Sequence, residues 1–146
     1  NEAELLEAYH DLSARLGAVV NVAPMAESGV EMILGARHDP QFGAIVIIGS
    51  GGVLAETLHD VAFALPPFSA EHARRCVDRL QLRPLLDGTR GEPAVDIDAF
   101  CETASRFSTI VYALRNQLGE IDINPLIVHQ RGCTIVDALI VSRSEN

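Results

Sequence analysis

Residues 119–141 read "GEIDINPLIVHQRGCTIVDALIV". Two runs rich in Ile, Leu and Val flank "HQRG" (129–132), a short polar segment containing Gly132, which is the pattern of a β-hairpin. Side chains two apart on a strand share a face. Glu120, Asp122 and Asn124 therefore point one way while Ile121 and Ile123 point the other. With 129–132 as the loop, Val128 pairs with Cys133, and counting outward sets Asn124 opposite Asp137. Pro125 removes a ladder donor just after Asn124, as at an edge or a bulge, so Asn124 is expected at a break in the pairing.

An amide oxygen and a carboxylate facing each other at the cross-strand distance of about 5 Å are hard oxygen donors. That pairing suits Mg²⁺, which takes one or two protein ligands and completes its octahedron with water and phosphate oxygens. The same polar side chains would also suit a half-exposed hairpin whose outer face meets only water. Periodicity alone leaves both readings open.

Outward from the hairpin the pattern alternates between strand and helix. Leu5, Leu6, Tyr9, Leu12 and Leu16 fall at helical spacing before Gly17. "AVVNVAPM" (18–25) predicts a strand ending at Pro24, "GVEMILGARHD" (29–39) a second with Val30, Met32 and Leu34 on one face, and "GAIVIIGSGG" (43–52) a third that runs into a glycine-rich bend. Over 53–65 the reading is a helical turn and then a short strand at "VAFAL", stopped by Pro66 and Pro67. Ser69 caps a helix over 69–80. A short helix or loop follows in "RPLLDGTRGEPAVD". Residues 96–117 form a long helix with Ile97, Phe100, Ala104, Phe107, Ile110, Val111 and Leu114 turned inward. Strands, two helices and a closing hairpin predict a single α+β domain, 1–146, in which helices cover one face of a mainly antiparallel sheet.

Composition narrows the chemistry. The formal charge is −9, and all eleven basic residues are arginines. A nucleic-acid backbone is a poor partner for such a chain, and a P-loop is excluded for want of its lysine. A nucleotide would need a metal ion and basic groups from elsewhere. No apolar run is long enough to span a bilayer, and residues 1–10 lack the features of a signal peptide, so an intracellular, cytoplasmic protein without a membrane partner is expected. Cys76, Cys101 and Cys133 are odd in number and widely spaced, as buried free thiols are. The five histidines are scattered, and Ile48 stands where a serine-hydrolase elbow would need its first glycine.

"EIDINPLIV" followed by "TIVDALI", with "GVEMILGARHDPQFGAIVIIGSGGVLAETLHDVAFALPP" and "LLDGTRGEPAVDIDAF" in order before it, resembles the ATP-grasp domain of nucleoside-diphosphate-forming acyl-CoA synthetases, relatives of the succinyl-CoA synthetase β subunit. The resemblance runs over residues 18–141. It implies that Asn124 and Asp137 are the two Mg²⁺ ligands, with Asp122 a supporting or water-mediated contact. Glu31 matches an acidic residue near the nucleotide, and Gly51 and Gly52 a glycine pair that lets the chain pass close to the transferring phosphoryl group. "DPQFG" (39–43) matches a loop in which Asp39 caps a turn and Phe42 packs. Arg37 could meet a phosphate or simply face water.

The implied cofactors are Mg²⁺ and ATP or ADP, and the implied reaction is acid + CoA + ATP giving acyl-CoA + ADP + phosphate through a phosphohistidine. The family's nucleotide-contacting lysine and its histidine-bearing "HK…GG" segment do not occur in the chain. The resemblance therefore implies a partial ATP-grasp domain, chiefly the C-terminal lobe, of a longer polypeptide that also carries CoA-binding and ligase domains. No catalytic residue is expected within these 146 residues, and the chain alone is expected to be inactive. Its partners would be the remaining lobe and domains, with CoA and a carboxylic acid bound by the whole. An alternative is a non-catalytic nucleotide-binding regulatory module, as in similar domains fused to protein acetyltransferases. A third is a lobe that serves only packing or dimerisation. An apolar face left by a missing lobe would also let the chain self-associate as a homo-oligomer.

Overall fold

The computed structural model describes residues 1–52, 60–88, 91 and 93–143. The chain opens with helix α1 (Glu2–Leu16), started by a capping box in which the Asn1 side chain accepts from the Glu4 N–H while Glu4 reaches back to the N-terminus. The helix is where the spacing puts it, but it buries no residue: Leu5 and Leu6 stay half exposed. Residues 18–25, expected as a strand, form neither helix nor strand, and Val19 and Met25 stand almost wholly in solvent. The reason is topological. The next strand, β1 (Val30–Asp39), already has a neighbour on each edge, so the apolar segment before it cannot pair beside it.

β1 pairs antiparallel with β2 (Gly43–Ser50) on one side and with β4 (Leu118–Val128) on the other. The order across the sheet is β3-β2-β1-β4, with β3 being Val61–Ala64, and the far edge is shared by β5 (Cys133–Ile135) and β6 (Ala138–Ser142), both paired to β4. Asp39 turns the β1–β2 connection by accepting the Gln41 and Phe42 N–H groups at 2.8 and 3.0 Å, which hold its carboxyl below the usual carboxylate range. Phe42, expected to pack, is 65 % exposed: the turn places it beyond the last strand pair.

Met32, Leu34 and Ala36 of β1, Val46 and Ile48 of β2, and Ile121, Ile123, Leu126 and Val128 of β4 all face one side and are buried. Helices α2 (Ala70–Val77) and α4 (Ile97–Leu114) close over them, and the short α3 (Arg83–Leu86) lies between in sequence. Ala73, Cys76 and Val77 from α2 and Phe100, Cys101, Ala104, Phe107 and Val111 from α4 complete this core. Phe100 is almost fully enclosed, and truncating such a ring to Ala costs about 3–5 kcal/mol. Ile110, expected inward, is 53 % exposed because it falls on the margin of the α4 stripe rather than over the sheet.

Helices on one face leave the other face of the sheet open, and that face carries the predicted functional residues. The helical turn expected at the start of 53–65 falls in residues 53–59, outside the described residues. The segment that follows is well anchored. Asp60 is buried and its two carboxylate oxygens accept the Gln81 and Leu82 N–H groups at 2.8 and 2.9 Å, tying β3 to the turn before α3.

Candidate functional site

The hairpin register is the one counted from the sequence: Val128 pairs with Cys133, Ile127 with Thr134 and Leu126 with Ile135. Further along, Ile123 pairs with Ala138 and Asp122 with Leu139. Continuing either count brings Asn124 level with Asp137. Neither belongs to a paired position. They occupy the step where β5 ends and β6 begins, held by the Val136 N–H donating to the Pro125 carbonyl at 3.1 Å.

The other side of β4 explains why Asn124 is there. Met32 is opposite Leu126, but Leu34 is opposite Ile123, so one residue of β1, Ile33, faces two of β4, Asn124 and Pro125. That is a β-bulge, which takes up an extra residue and re-aims its side chain. Its effect is visible in the burial sequence along β4, where Ile121 and Ile123 are buried before the bulge and Leu126 and Val128 after it. The alternation slips by one at Asn124–Pro125, and Asn124 is left exposed on the open face.

Asp122, half-buried, shares that face two residues earlier and sits beside Gly35 of β1 and Leu139 of β6. Asp137 is exposed, and one carboxylate oxygen accepts its neighbour Ala138's N–H at 2.8 Å. The second oxygen is left for another partner. Among the described residues no three His, Cys, Asp or Glu side chains converge into a metal cage. Asn124, Asp137 and Asp122 present side-chain oxygens at this step of the sheet, the donor type that Mg²⁺ takes.

Glu31 lies one strand away. It is exposed on β1 opposite Ile127, one step beyond the bulge, which in strand geometry separates it from Asn124 by about 8 Å. The glycine pair at the end of β2 runs against it. The Gly51 N–H donates to the Glu31 carbonyl at 2.8 Å, and a Cβ on Gly51 would stand 2.9 Å from the Glu31 carbonyl carbon and the Met32 nitrogen. Gly52 has φ +60°, and a Cβ there would collide with the Glu31 carboxylate. Close approach of two backbones excludes a side chain at Gly51, whereas at Gly52 the left-handed conformation favours glycine and the exposed Glu31 side chain could swing aside.

The fold brings together Asn124 with Asp137, places Asp122 on their face, and separately brings Glu31 together with Gly51 and Gly52. Arg37 is exposed on β1 with Glu120 as its cross-strand neighbour. The residues that hold the hairpin in place were not visible as such. Asp96 caps α4 by accepting the Ala99 N–H at 3.0 Å, and its other oxygen accepts the Gly132 N–H of the hairpin loop at 2.9 Å. These two backbone donors keep its carboxyl below the ordinary range. The Asp96 N–H in turn donates to the His129 carbonyl at 2.7 Å. His129 is buried, with Nδ1 3.3 Å from the Ser28 carbonyl and Nε2 2.9 Å from the Thr134 hydroxyl, so its ring links the segment entering β1 to the hairpin. A Ser or Asp three residues before a helical amide is a recognisable cap; its second partner, 36 residues away, leaves no local trace.

Comparison with known proteins agrees with this architecture. Residues 1–141 match the model of an ATP-grasp domain family. The β subunit of an ADP-forming acetate–CoA ligase from Pyrococcus furiosus is 37% identical over 124 residues, 84% of this chain and 52% of that subunit. A trans-feruloyl-CoA synthase from an unknown prokaryotic organism is 39% identical over 138 residues, 93% of this chain and 19% of that protein. Among solved structures, the Candidatus Korarchaeum cryptofilum dinucleotide-forming acetyl-coenzyme A synthetase 1, in complex with coenzyme A and Mg-AMPPCP, superposes with a TM-score of 0.87 at 34% identity, over 98% of this chain and 65% of that one. This chain spans about half of the Pyrococcus subunit and a fifth of the synthase. By sequence and by fold, the chain belongs to the ATP-grasp family, in the branch found in ADP-forming acyl-CoA synthetases.

Proposed function

We propose that the chain is the Mg-nucleotide-binding lobe of an ADP-forming acyl-CoA synthetase. The observation that carries this reading is the bulge in β4, which lifts Asn124 out of the ladder at the level of Asp137 on the face that the helices leave open. There the Asn124 amide and the second Asp137 carboxylate oxygen face solvent, where a metal ion could replace water.

In this reading Asn124 and Asp137 supply two oxygen ligands to Mg²⁺, and Asp122 orients a ligand water. The bound ion would neutralise phosphate charge and hold the phosphoryl group for in-line transfer. Glu31, about 8 Å away by strand geometry, lies on the same face. Gly51 and Gly52 let the chain turn past it without side chains in the way, which would leave room beside the metal for a phosphate. The net charge of −9 and the lack of lysine leave few cations to offset the phosphates. The basic groups, the histidine that is phosphorylated and the sites for CoA and the acid would come from other segments of the enzyme. The overall reaction would be acid + CoA + ATP giving acyl-CoA + ADP + phosphate, with this chain contributing nucleotide and metal binding and by itself no turnover.

Calorimetric titration with ADP, with and without Mg²⁺, tests the assignment. Metal-dependent binding by the wild-type chain, weakened at least tenfold by Asn124→Ala, is the expected result. Equal binding with and without the metal would overturn it.

A further inference from the structure

One imidazole lies between the two segments that lead into the candidate site. His129 is buried just beyond β4, and its Nδ1 is 3.3 Å from the Ser28 carbonyl oxygen. A carbonyl only accepts, so the ring proton belongs on Nδ1. Nε2 of the neutral ring is then an acceptor, and the Thr134 hydroxyl donates to it at 2.9 Å. The two partners thus decide the tautomer, and bonds at both nitrogens fix the ring in its plane. Its backbone is held as well: the His129 N–H donates to the Gly132 carbonyl at 3.0 Å, and its carbonyl accepts from the Asp96 N–H at 2.7 Å. The ring acts from a fixed base.

Each contact leads to one side of the site. Ser28 precedes Glu31 by three residues, and Thr134 precedes Asp137 by three. Thr134 and Glu31 are the cross-strand neighbours of Ile127, one on each side, so the three stand in a row across β5, β4 and β1. His129 spans the end of that row. Gly29 lets the Ser28 segment come so close, because a Cβ there would collide with the Val128 carbonyl oxygen. On the other side, β5 is the shortest strand of the sheet: its three residues pair with β4, and the chain then leaves the ladder at Val136 and Asp137 before β6 resumes it. The Thr134 hydroxyl is the side-chain tie that steadies β5 ahead of that step.

We propose that His129 is a positioning residue for the metal–nucleotide site, which by bonding Ser28 on one side and Thr134 on the other sets Glu31 and Asp137 relative to each other. It acts through the backbone, three residues from each, and is not itself a ligand. The inference rests on the reading of Asn124 and Asp137 as metal ligands.

Thr134→Val keeps the shape of an exposed side chain and removes its hydroxyl, so it tests the proposal without disturbing the core. In calorimetric titration with ADP, with and without Mg²⁺, it should weaken the metal-dependent binding about fivefold, less than the roughly tenfold or more lost with a group bonded directly to a metal ligand. Binding of ADP without the metal should be unchanged, whereas a merely structural role would lower both or neither. His129→Asn, whose amide can keep the donor to Ser28, should match Thr134→Val, and the double variant should lose no more than either single one. His129→Gln, whose amide oxygen reaches the Nε2 position, should restore the metal-dependent part. Backbone amide shifts of the ligand-free chains, which also show that each variant is folded, should move at 134–138 in the first two variants and at 28–31 in His129→Gln. Metal-dependent wild-type binding that Thr134→Val and His129→Asn leave unchanged would overturn this inference alone. Equal wild-type binding with and without Mg²⁺ would overturn the nucleotide reading and this inference with it.

Discussion

Removing the Asp96 carboxylate should loosen the hairpin from the helix layer and weaken the whole fold by about 2 kcal/mol. The figure has two parts. Loss of the N-cap bond to Ala99 costs about 1 kcal/mol, typical of an Asp cap replaced by Ala. Loss of the bond from the Gly132 N–H costs about 1 kcal/mol more, toward the lower end for a charged acceptor because Asp96 is partly open to solvent. For a domain of this size about 2 kcal/mol corresponds to a fall in Tm of roughly 4–8 °C. Asp96→Asn should show about half the loss, since one amide oxygen can keep the cap while the NH₂ group cannot accept from Gly132. The pH dependence follows from the lowered carboxyl. A depressed folded-state pKa contributes stability that is present above the unfolded value near 4 and is lost as the pH falls through the folded one, so the gap between wild type and Asp96→Asn should close in acid. Urea unfolding of the three proteins at neutral pH and near pH 3, with hydrogen exchange of the Gly132 amide, provides the readout. A loss below about 0.5 kcal/mol for Asp96→Ala, with Gly132 protection unchanged, would refute the view that Asp96 joins α4 to the hairpin.

Gly51→Ala would drive a methyl to 2.9 Å from β1 backbone atoms that cannot move away, so it should destabilise by about 1–3 kcal/mol, measured by urea unfolding. At Gly17, where nothing lies within 4 Å of an added Cβ, Ala should cost only the strain of a φ of +108°, so comparing the two separates crowding from conformation. Cys101 is buried and its thiol is pushed up to about 11, so native-state alkylation at pH 8 should leave it unmodified while half-buried Cys133 reacts. Mass mapping after iodoacetamide treatment checks the order.

Much of the hairpin was legible because two constraints agreed. The four-residue loop fixed one register, and the alternation of Ile121 and Ile123 with Asp122 and Asn124 fixed the same one. Pro125 announced a break, and the bulge lies there. The strand expected over 18–25 failed for the opposite reason: apolar residues mark what could be buried, whereas pairing needs a free edge, and β1 had none to offer. Ile110 shows the same limit on a helix, where periodicity defines a stripe but the width of the sheet beneath decides how much is covered. Asp60 and Asp96 were invisible as anchors because their partners, Gln81 with Leu82 and Gly132, are brought near only by the complete fold. The candidate site divides similarly. The Asn124–Asp137 correspondence follows from register, while the crowding that makes Gly51 a glycine depends on where the β1 backbone at Glu31 and Met32 lies in three dimensions.

The central claim is that the open face at the β4 bulge holds a metal ion with a nucleotide. Titrating the ¹⁵N-labelled chain with Mn²⁺·ADP and following paramagnetic broadening of its amide signals tests it most directly. The account predicts broadening centred on residues 122–124 and 137, extending to Glu31 and the Gly51–Gly52 bend, and abolished by Asp137→Asn. Broadening that is centred elsewhere, or that survives Asp137→Asn unchanged, would contradict it.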